Sequence, residues 1–263
     1  MRATVAIAGL GLIGGSLARA LRSRGWRVIG LDRPSVMRRA KAARAISEAA
    51  PRFERAAEAD LVVLAAYPRT NLVLLRRLAS LARPGLTITD VGSVKARICV
   101  EAARLGLSGF VGGHPMAGSE RSGFEASSAA LFRGRPWILT PAGSAPRSLA
   151  AVRRMIRAAG ARPAVMEPEE HDRVIAFLSH LPQIAAWALR DAVLADEVAS
   201  RHTGVAGPAF ADMTRVAKSP VELWRKILAE NRTNVERALE GFKAALTAVP
   251  GERRGKIAAE DEG

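Results

Sequence analysis

Residues 112–123 read Gly-Gly-His-Pro-Met-Ala-Gly-Ser-Glu-Arg-Ser-Gly. One imidazole, one acid and one guanidinium stand there among small residues with no bulky apolar run, so these side chains are not mainly core filler. His114 is the group to build on, because an imidazole titrates near neutral pH and trades protons readily. A second chemical signal lies near the start of the chain. Residues 4–8 have an apolar strand pattern and run into Gly9-Leu10-Gly11-Leu12-Ile13-Gly14, after which residues 17–24 are helical in pattern. Gly-x-Gly-x-x-Gly between a strand and a helix is the mark of a dinucleotide site. Gly9 permits the tight turn, Gly11 lets the backbone approach a pyrophosphate, and Gly14 lets the helix pack close to the strand. Leu12 and Ile13 complete the loop, and the helix N-terminus faces the anion.

The elements that hold these residues follow from patterning. Residues 27–31 form a second strand, closed by Asp32, 23 residues after Gly9, where a carboxylate accepts hydrogen bonds from adenosine ribose hydroxyls. That favours NAD. A 2′-phosphate is repelled by Asp32, and the adjacent Arg33 offsets this only in part, so NADP is disfavoured. Helix and strand patterns then alternate: 36–44 helical, 61–66 a strand, 72–81 helical, 86–89 a strand, 137–139 a strand, 145–160 an Arg-rich helix, 162–166 a last strand. Such alternation predicts a parallel sheet wound on both faces, with ligands beyond the strand C-termini. Tyr67-Pro68 and Asp90-Val91-Gly92-Ser93-Val94-Lys95 lie just past such ends. Ser93 and Lys95 are therefore candidates by position, and Ser93 is equally a helix N-cap.

Glu167-Pro168-Glu169-Glu170 suits the first turn of a helix and marks a boundary. No strand pattern follows it. Residues 185–194 are apolar on more than one side and 223–246 are apolar at helical spacing. Helices this apolar in so small a unit cannot bury themselves alone, which predicts a homodimer through this half. The fold expected is α/β: a Rossmann-type parallel-sheet domain over residues 1–167, then an all-α substrate and dimerisation domain over 168–249. Residues 250–263 are charged and small, hence a frayed tail.

Composition narrows the class. At 263 residues, with 49% hydrophobic and 25% charged residues, the chain is globular. Its formal charge of +15 invites a nucleic-acid reading, but the arginines are spread over most helices with almost no aromatic interleaving and no groove-reading module. No nucleic-acid partner is expected; a general positive field draws in an anionic substrate instead. The lone Cys99 rules out an internal disulfide framework and fits a reducing compartment, the cytoplasm. Residues 1–3 before the first strand are too short for a signal peptide, so no leader is expected, and no apolar run approaches the roughly 20 residues of a membrane span. No metal is implied.

Four stretches, 9–15, 90–95, 113–123 and Ser179-His180-Leu181-Pro182 with 207–224, together resemble the prephenate and arogenate dehydrogenase family of tyrosine biosynthesis. The resemblance runs in order over nearly the whole chain, from Thr4 to about Leu246. It implies an oxidative decarboxylation in which hydride leaves the hydroxyl-bearing ring carbon for NAD and the ring carboxylate departs as carbon dioxide. It also implies roles. His114 matches the histidine that hydrogen-bonds the ring hydroxyl, and Ser93 the serine that positions both. Arg215 matches the arginine that binds a substrate carboxylate, and Glu120 an acid that pairs with it near the entrance. Trp224 matches a tryptophan contributed across the dimer interface, though helix packing is an equal reading for it. His180 and Gln183 share a helix face beside Pro182 and point to substrate recognition; some members carry a second histidine where Gln183 stands. His171, nine residues before His180, falls on the opposite face of a straight helix and reads as structural, as does His202. No regulatory domain is expected after Leu246, and no fused domain before Thr4.

Two rival classes make different demands. A β-hydroxyacid dehydrogenase needs a catalytic lysine on the helical domain rather than His114, and an enzyme for an amino analogue of prephenate is inseparable by sequence. A dinucleotide-sensing module without catalysis is opposed by intact His114, Ser93 and Arg215. The keto group of prephenate and the amine of arogenate are equally compatible with the residues.

Overall fold

A computed structural model describes residues 3–119 and 121–248; Glu120 and the 250–263 tail named above lie outside the described residues. Eight strands, β1 (Thr4–Ala8), β2 (Arg27–Leu31), β3 (Glu48–Ala49), β4 (Leu61–Leu64), β5 (Thr87–Asp90), β6 (Phe110–Pro115), β7 (Pro136–Thr140) and β8 (Arg162–Val165), form one sheet. Their order is β3-β2-β1-β4-β5-β6-β7-β8. Helices α1 (Leu12–Ser23), α2 (Pro34–Ala42), α3 (Pro68–Ala79), α4 (Ala96–Arg104) and α5 (Pro146–Ala158) cover it on two sides. The period of two along β1 shows how. Val5 and Ile7 enter one core with Leu17 and Leu21 of α1, Met37 of α2 and Met155 of α5. Ala6 and Ala8 enter the other with Leu75 and Leu78 of α3 and Ile98 of α4. A strand buried on both faces must be apolar throughout, which is why β1 and β4 read as short continuous runs.

The sheet departs from the expected all-parallel form at one junction. β6 pairs β7 antiparallel, Gly113 opposite Leu139 and His114 opposite Ile138. Among the described residues, the connection between them carries only a short 3-10 turn at Phe124–Ala126 and no crossover helix, and without one a strand returns antiparallel. β6 also runs through Gly112, Gly113 and His114, a stretch whose glycines and proline have low strand propensity and read as loop. His114 therefore stands on a strand. β3, two residues long and polar, had no readable pattern.

The second half is helical: α6 (Pro168–Ile175), α7 (Leu181–Ala195), α8 (Glu197–Arg201), α9 (Pro208–Thr214), α10 (Val221–Glu230) and α11 (Arg232–Thr247). Glu169 and Glu170 occupy the first turn of α6, as expected. The helical pattern over 223–246 breaks at Asn231. The buried apolar cluster of this half holds only Ala176, Val235 and Ala238. Phe177, Leu178, Leu194, Val198, Val205 and Met213 stay exposed, a large apolar surface for so small a unit. No helix among the described residues is long and apolar enough to cross a membrane.

Candidate active site

The glycine turn is built as its sequence requires. Gly9 has a φ of 101°, where a side chain is strained, and a Cβ there would lie 2.5 Å from the Ala65 carbonyl oxygen. A Cβ on Gly14 would lie 1.9 Å from the Gly9 carbonyl oxygen, so α1 packs on the turn only without one. Gly11 is the opposite: nothing stands within 4 Å of the Cβ position, which leaves its backbone open to an approaching group. α1 begins at Leu12 with no side-chain cap and no acid in its first turn, so the N–H groups of Leu12, Ile13 and Gly14 are unopposed toward an anion. Asp32 accepts from Leu10 N at 2.7 Å and Arg33 N at 2.6 Å, which fixes its carboxylate at the turn with lone pairs to spare for ribose hydroxyls. Arg33 extends into solvent. These residues fit a dinucleotide. Gly14→Ala is accordingly expected to lower dinucleotide affinity by at least about tenfold, measured by fluorescence titration. An unchanged affinity would show that the turn is not the site.

The C-terminal end of β5 is locked to β6. Asp90 accepts from Gly92 N at 2.8 Å and Gly113 N at 3.0 Å. The fully buried Lys95 ammonium pairs with the Asp90 carboxylate and donates to the Gly113 carbonyl at 2.9 Å. Lys95, a candidate by position, is thus committed to the scaffold, where a buried pair costs far more to break than to keep. The register of His114 is set by this lock.

His114 is buried, with 7% of its surface exposed, and its Nδ1 lies 2.9 Å from His171 Nε2. Its Nε2 has no hydrogen bond among the described residues and is not sealed among the buried unpaired atoms. Burial, and then the like charges that His171, Lys95 and His180 present, push its pKa well below 6.5. At neutral pH the ring is an uncharged proton acceptor. His171 is therefore not a bystander, contrary to the straight-helix reading. Residues 176–180 form a π-helical turn between α6 and α7, and the wider turn changes the phase that put His171 and His180 on opposite faces. His171 Nδ1 meets Asp172 Oδ1 at 2.8 Å. Asp172 also caps α4 from the helical half, accepting from Lys95 N at 2.7 Å and Ala96 N at 2.9 Å. Ser93 does not perform that capping.

His180 is fully buried, and burial pushes its pKa down to about 4. Its Nδ1 lies 3.3 Å from Asn231 Nδ2, which also donates to the Asp172 carbonyl at 2.7 Å. Its Nε2 is buried and unpaired among the described residues, and Trp224 stands edge-on, ring centroids 5.9 Å apart. Trp224 also packs on Trp187 of its own chain. Gln183 is buried and donates to the Val216 carbonyl at 2.9 Å, while Trp187 and Arg190 both donate to the Ala217 carbonyl at 3.1 Å. These bonds pin the 3-10 turn at Arg215–Lys218 and leave the Arg215 side chain exposed, without an ion pair among the described residues. Ser93 is half-buried and lines a cleft with Pro68, Asn71, Gly92, Arg97 and Glu230; it makes no hydrogen bond to His114. Glu230, its pKa raised by burial, faces Arg97 at 3.5 Å. His202 is exposed at the end of α8 rather than structural.

Asp172 and Asn231 escaped the sequence reading, which named His171 only as structural. Adjacent His-Asp on a helix opening and an Asn interrupting a helical pattern were the available signals. The cluster joins a neutral imidazole to the strand ends that carry a dinucleotide turn, an arrangement for removing a proton while a hydride leaves.

Comparison with known proteins agrees with this chemistry. Residues 17–165 match the family model "Prephenate dehydrogenase, nucleotide-binding domain", and residues 167–252 match "Prephenate dehydrogenase, dimerization domain". A Bacillus subtilis prephenate dehydrogenase is 36% identical over 246 residues, covering 89% of this chain and 66% of that protein. The crystal structure of prephenate dehydrogenase from A. aeolicus in complex with hydroxyphenyl propionate and NAD+ superposes with a TM-score of 0.85 at 35% identity, over 94% of this chain and 88% of that one. Synechocystis arogenate dehydrogenase gives 0.80 at 31% identity, over 92% and 89%. With a dinucleotide turn, a buried neutral histidine on β6 and both family domains in order, the chain belongs to the prephenate dehydrogenase family.

Proposed function

We propose that this chain, as a homodimer through its helical half, carries out the NAD-dependent oxidative decarboxylation of prephenate or arogenate, with His114 accepting the ring hydroxyl proton. The observation that carries the reading is His114 itself: a buried ring kept neutral, one nitrogen held by the protein and the other free, on the strand end next to β5. Gly11 and the α1 N-terminus hold the pyrophosphate of NAD, and Asp32 holds the adenosine ribose. When bound, NAD supplies the hydride acceptor; aromatisation and loss of carbon dioxide drive the reaction.

The chain supplies orientation and proton handling. His114 Nε2 takes the proton from the hydroxyl oxygen as the carbon bearing it gives up its hydride, becoming carbonyl-like and then, with loss of carbon dioxide, aromatic. Arg215 binds a substrate carboxylate, for which a planar guanidinium offers two parallel donors. Ser93, half-buried in the cleft with Gly92 and Arg97, orients the hydroxyl. His180, fully buried with Trp224 edge-on to it, and Gln183 behind the Arg215 turn back the wall beside the substrate side chain. The cytoplasm suits the protein: its lone thiol, Cys99, is buried, unpaired and pushed up to about 11, so it is unreactive.

The test is turnover of prephenate and of arogenate, each with NAD and with NADP, followed by absorbance of the reduced cofactor. NAD reduction with one or both substrates is expected, with NADP poorer. Folded, NAD-binding protein that turns over neither would overturn the assignment.

A further inference from the structure

Two hydrogen bonds in series run from a carboxylate in the helical half to the imidazole on β6, and their donors can be assigned. Asp172 Oδ1 faces two donors, Lys95 N at 2.7 Å and His171 Nδ1 at 2.8 Å, and Oδ2 faces Ala96 N at 2.9 Å. A backbone N–H can only donate, so the carboxylate accepts at both oxygens and His171 must carry its proton on Nδ1. In a neutral ring that leaves Nε2 as the acceptor. The 2.9 Å contact to His114 is then a donation from His114 Nδ1–H, and His114 Nε2 is left bare. A histidine of the opposite tautomer would present N–H to a hydroxyl group and could not take its proton.

We infer that His171, anchored by Asp172, is a positioning residue that fixes the tautomer of His114 and receives its second proton during the reaction. This rests on the proton-acceptor role given to His114 above. The proton count closes: the hydroxyl proton arrives on His114 Nε2, the proton of Nδ1 moves along the 2.9 Å contact to His171 Nε2, and His171 becomes an imidazolium paired with the Asp172 carboxylate. No net charge is stranded on His114, whose surroundings oppose one: Lys95 and His180 face it besides His171. On product release the protons return by the same path. Fixing an imidazole through a buried carboxylate is the logic of hydrolytic triads, here extended by one ring.

The experiment uses the full-length protein labelled with ¹⁵N-histidine, which has only four histidines to assign, one of them the exposed His202. In the wild type at neutral pH, His114 should show a protonated Nδ1 and a bare Nε2. His171→Phe should spread His114 over both tautomers and lower kcat by about 10²-fold, leaving the KM for NAD within about twofold. His171→Gln, whose side-chain oxygen can still accept from Nδ1–H, should recover most of kcat and the wild-type tautomer. A wild-type His114 protonated at Nε2 would overturn the proposal, as would a His171→Phe protein with unaltered His114 resonances and unaltered kcat. The wild-type spectrum needs no turnover, so failure to oxidise prephenate counts against the reaction and not against the hydrogen-bond chain.

Discussion

His114→Asn should lower kcat by about 10³-fold, within the 10²–10⁴ range that a positioned base contributes, or about 4 kcal/mol of barrier. The substitution is chosen because an asparagine Nδ2–H can still donate toward His171, so only the bare nitrogen is lost. Asp90 and Lys95 hold the strand through the backbone of Gly113, not through this side chain, so the fold should persist. Dinucleotide affinity should stay within about twofold, because the glycine turn lies on another strand. Unchanged kcat in the variant would mean that solvent or another group takes the proton.

Arg215→Ala should raise the KM for prephenate or arogenate by about 10²-fold, with kcat reduced less. The guanidinium is exposed and unpaired among the described residues, on a turn pinned through its carbonyls by Gln183, Trp187 and Arg190. Pinning the backbone while leaving the charge free is how a site holds a cation ready for an anion. Two charge-assisted hydrogen bonds, discounted for exposure, come to about 3 kcal/mol. Arg215→Lys should recover only part, because an ammonium cannot make the bidentate contact. A KM that does not move in either variant would place the carboxylate elsewhere.

Some of this was legible in the chain and some was not, for definite reasons. The glycine turn was readable because its constraints are local: Gly9 and Gly14 each exclude a Cβ through backbone contact within the same strand–turn–helix unit. The small buried core of the helical half was readable from its composition. β6 left no pattern to read because Gly112 and Gly113 have low strand propensity, while what makes the strand is long-range, the antiparallel ladder to β7 and the bonds from Asp90. His171 was misread for a reason of phase. A sequence assumes 3.6 residues per turn, and the π-turn at residues 176–180 breaks that assumption just between the two histidines being compared. Asp172 capping α4 and Asn231 bridging Asp172 to His180 are contacts between distant segments, 59 residues apart in the second case, and no local pattern announces them.

The central claim is that a neutral His114 is the base, and the pH dependence of kcat/KM tests it most directly. A base works only when unprotonated, so activity is full above its pKa in the free enzyme and falls as pH drops through it. Since burial and neighbouring cations depress that pKa well below 6.5, the wild-type enzyme should hold its plateau past 6.5 and lose activity only at more acid pH. In His114→Asn that limb should vanish from the residual rate. The same acid limb, at the same pH, in the His114→Asn protein would contradict the assignment.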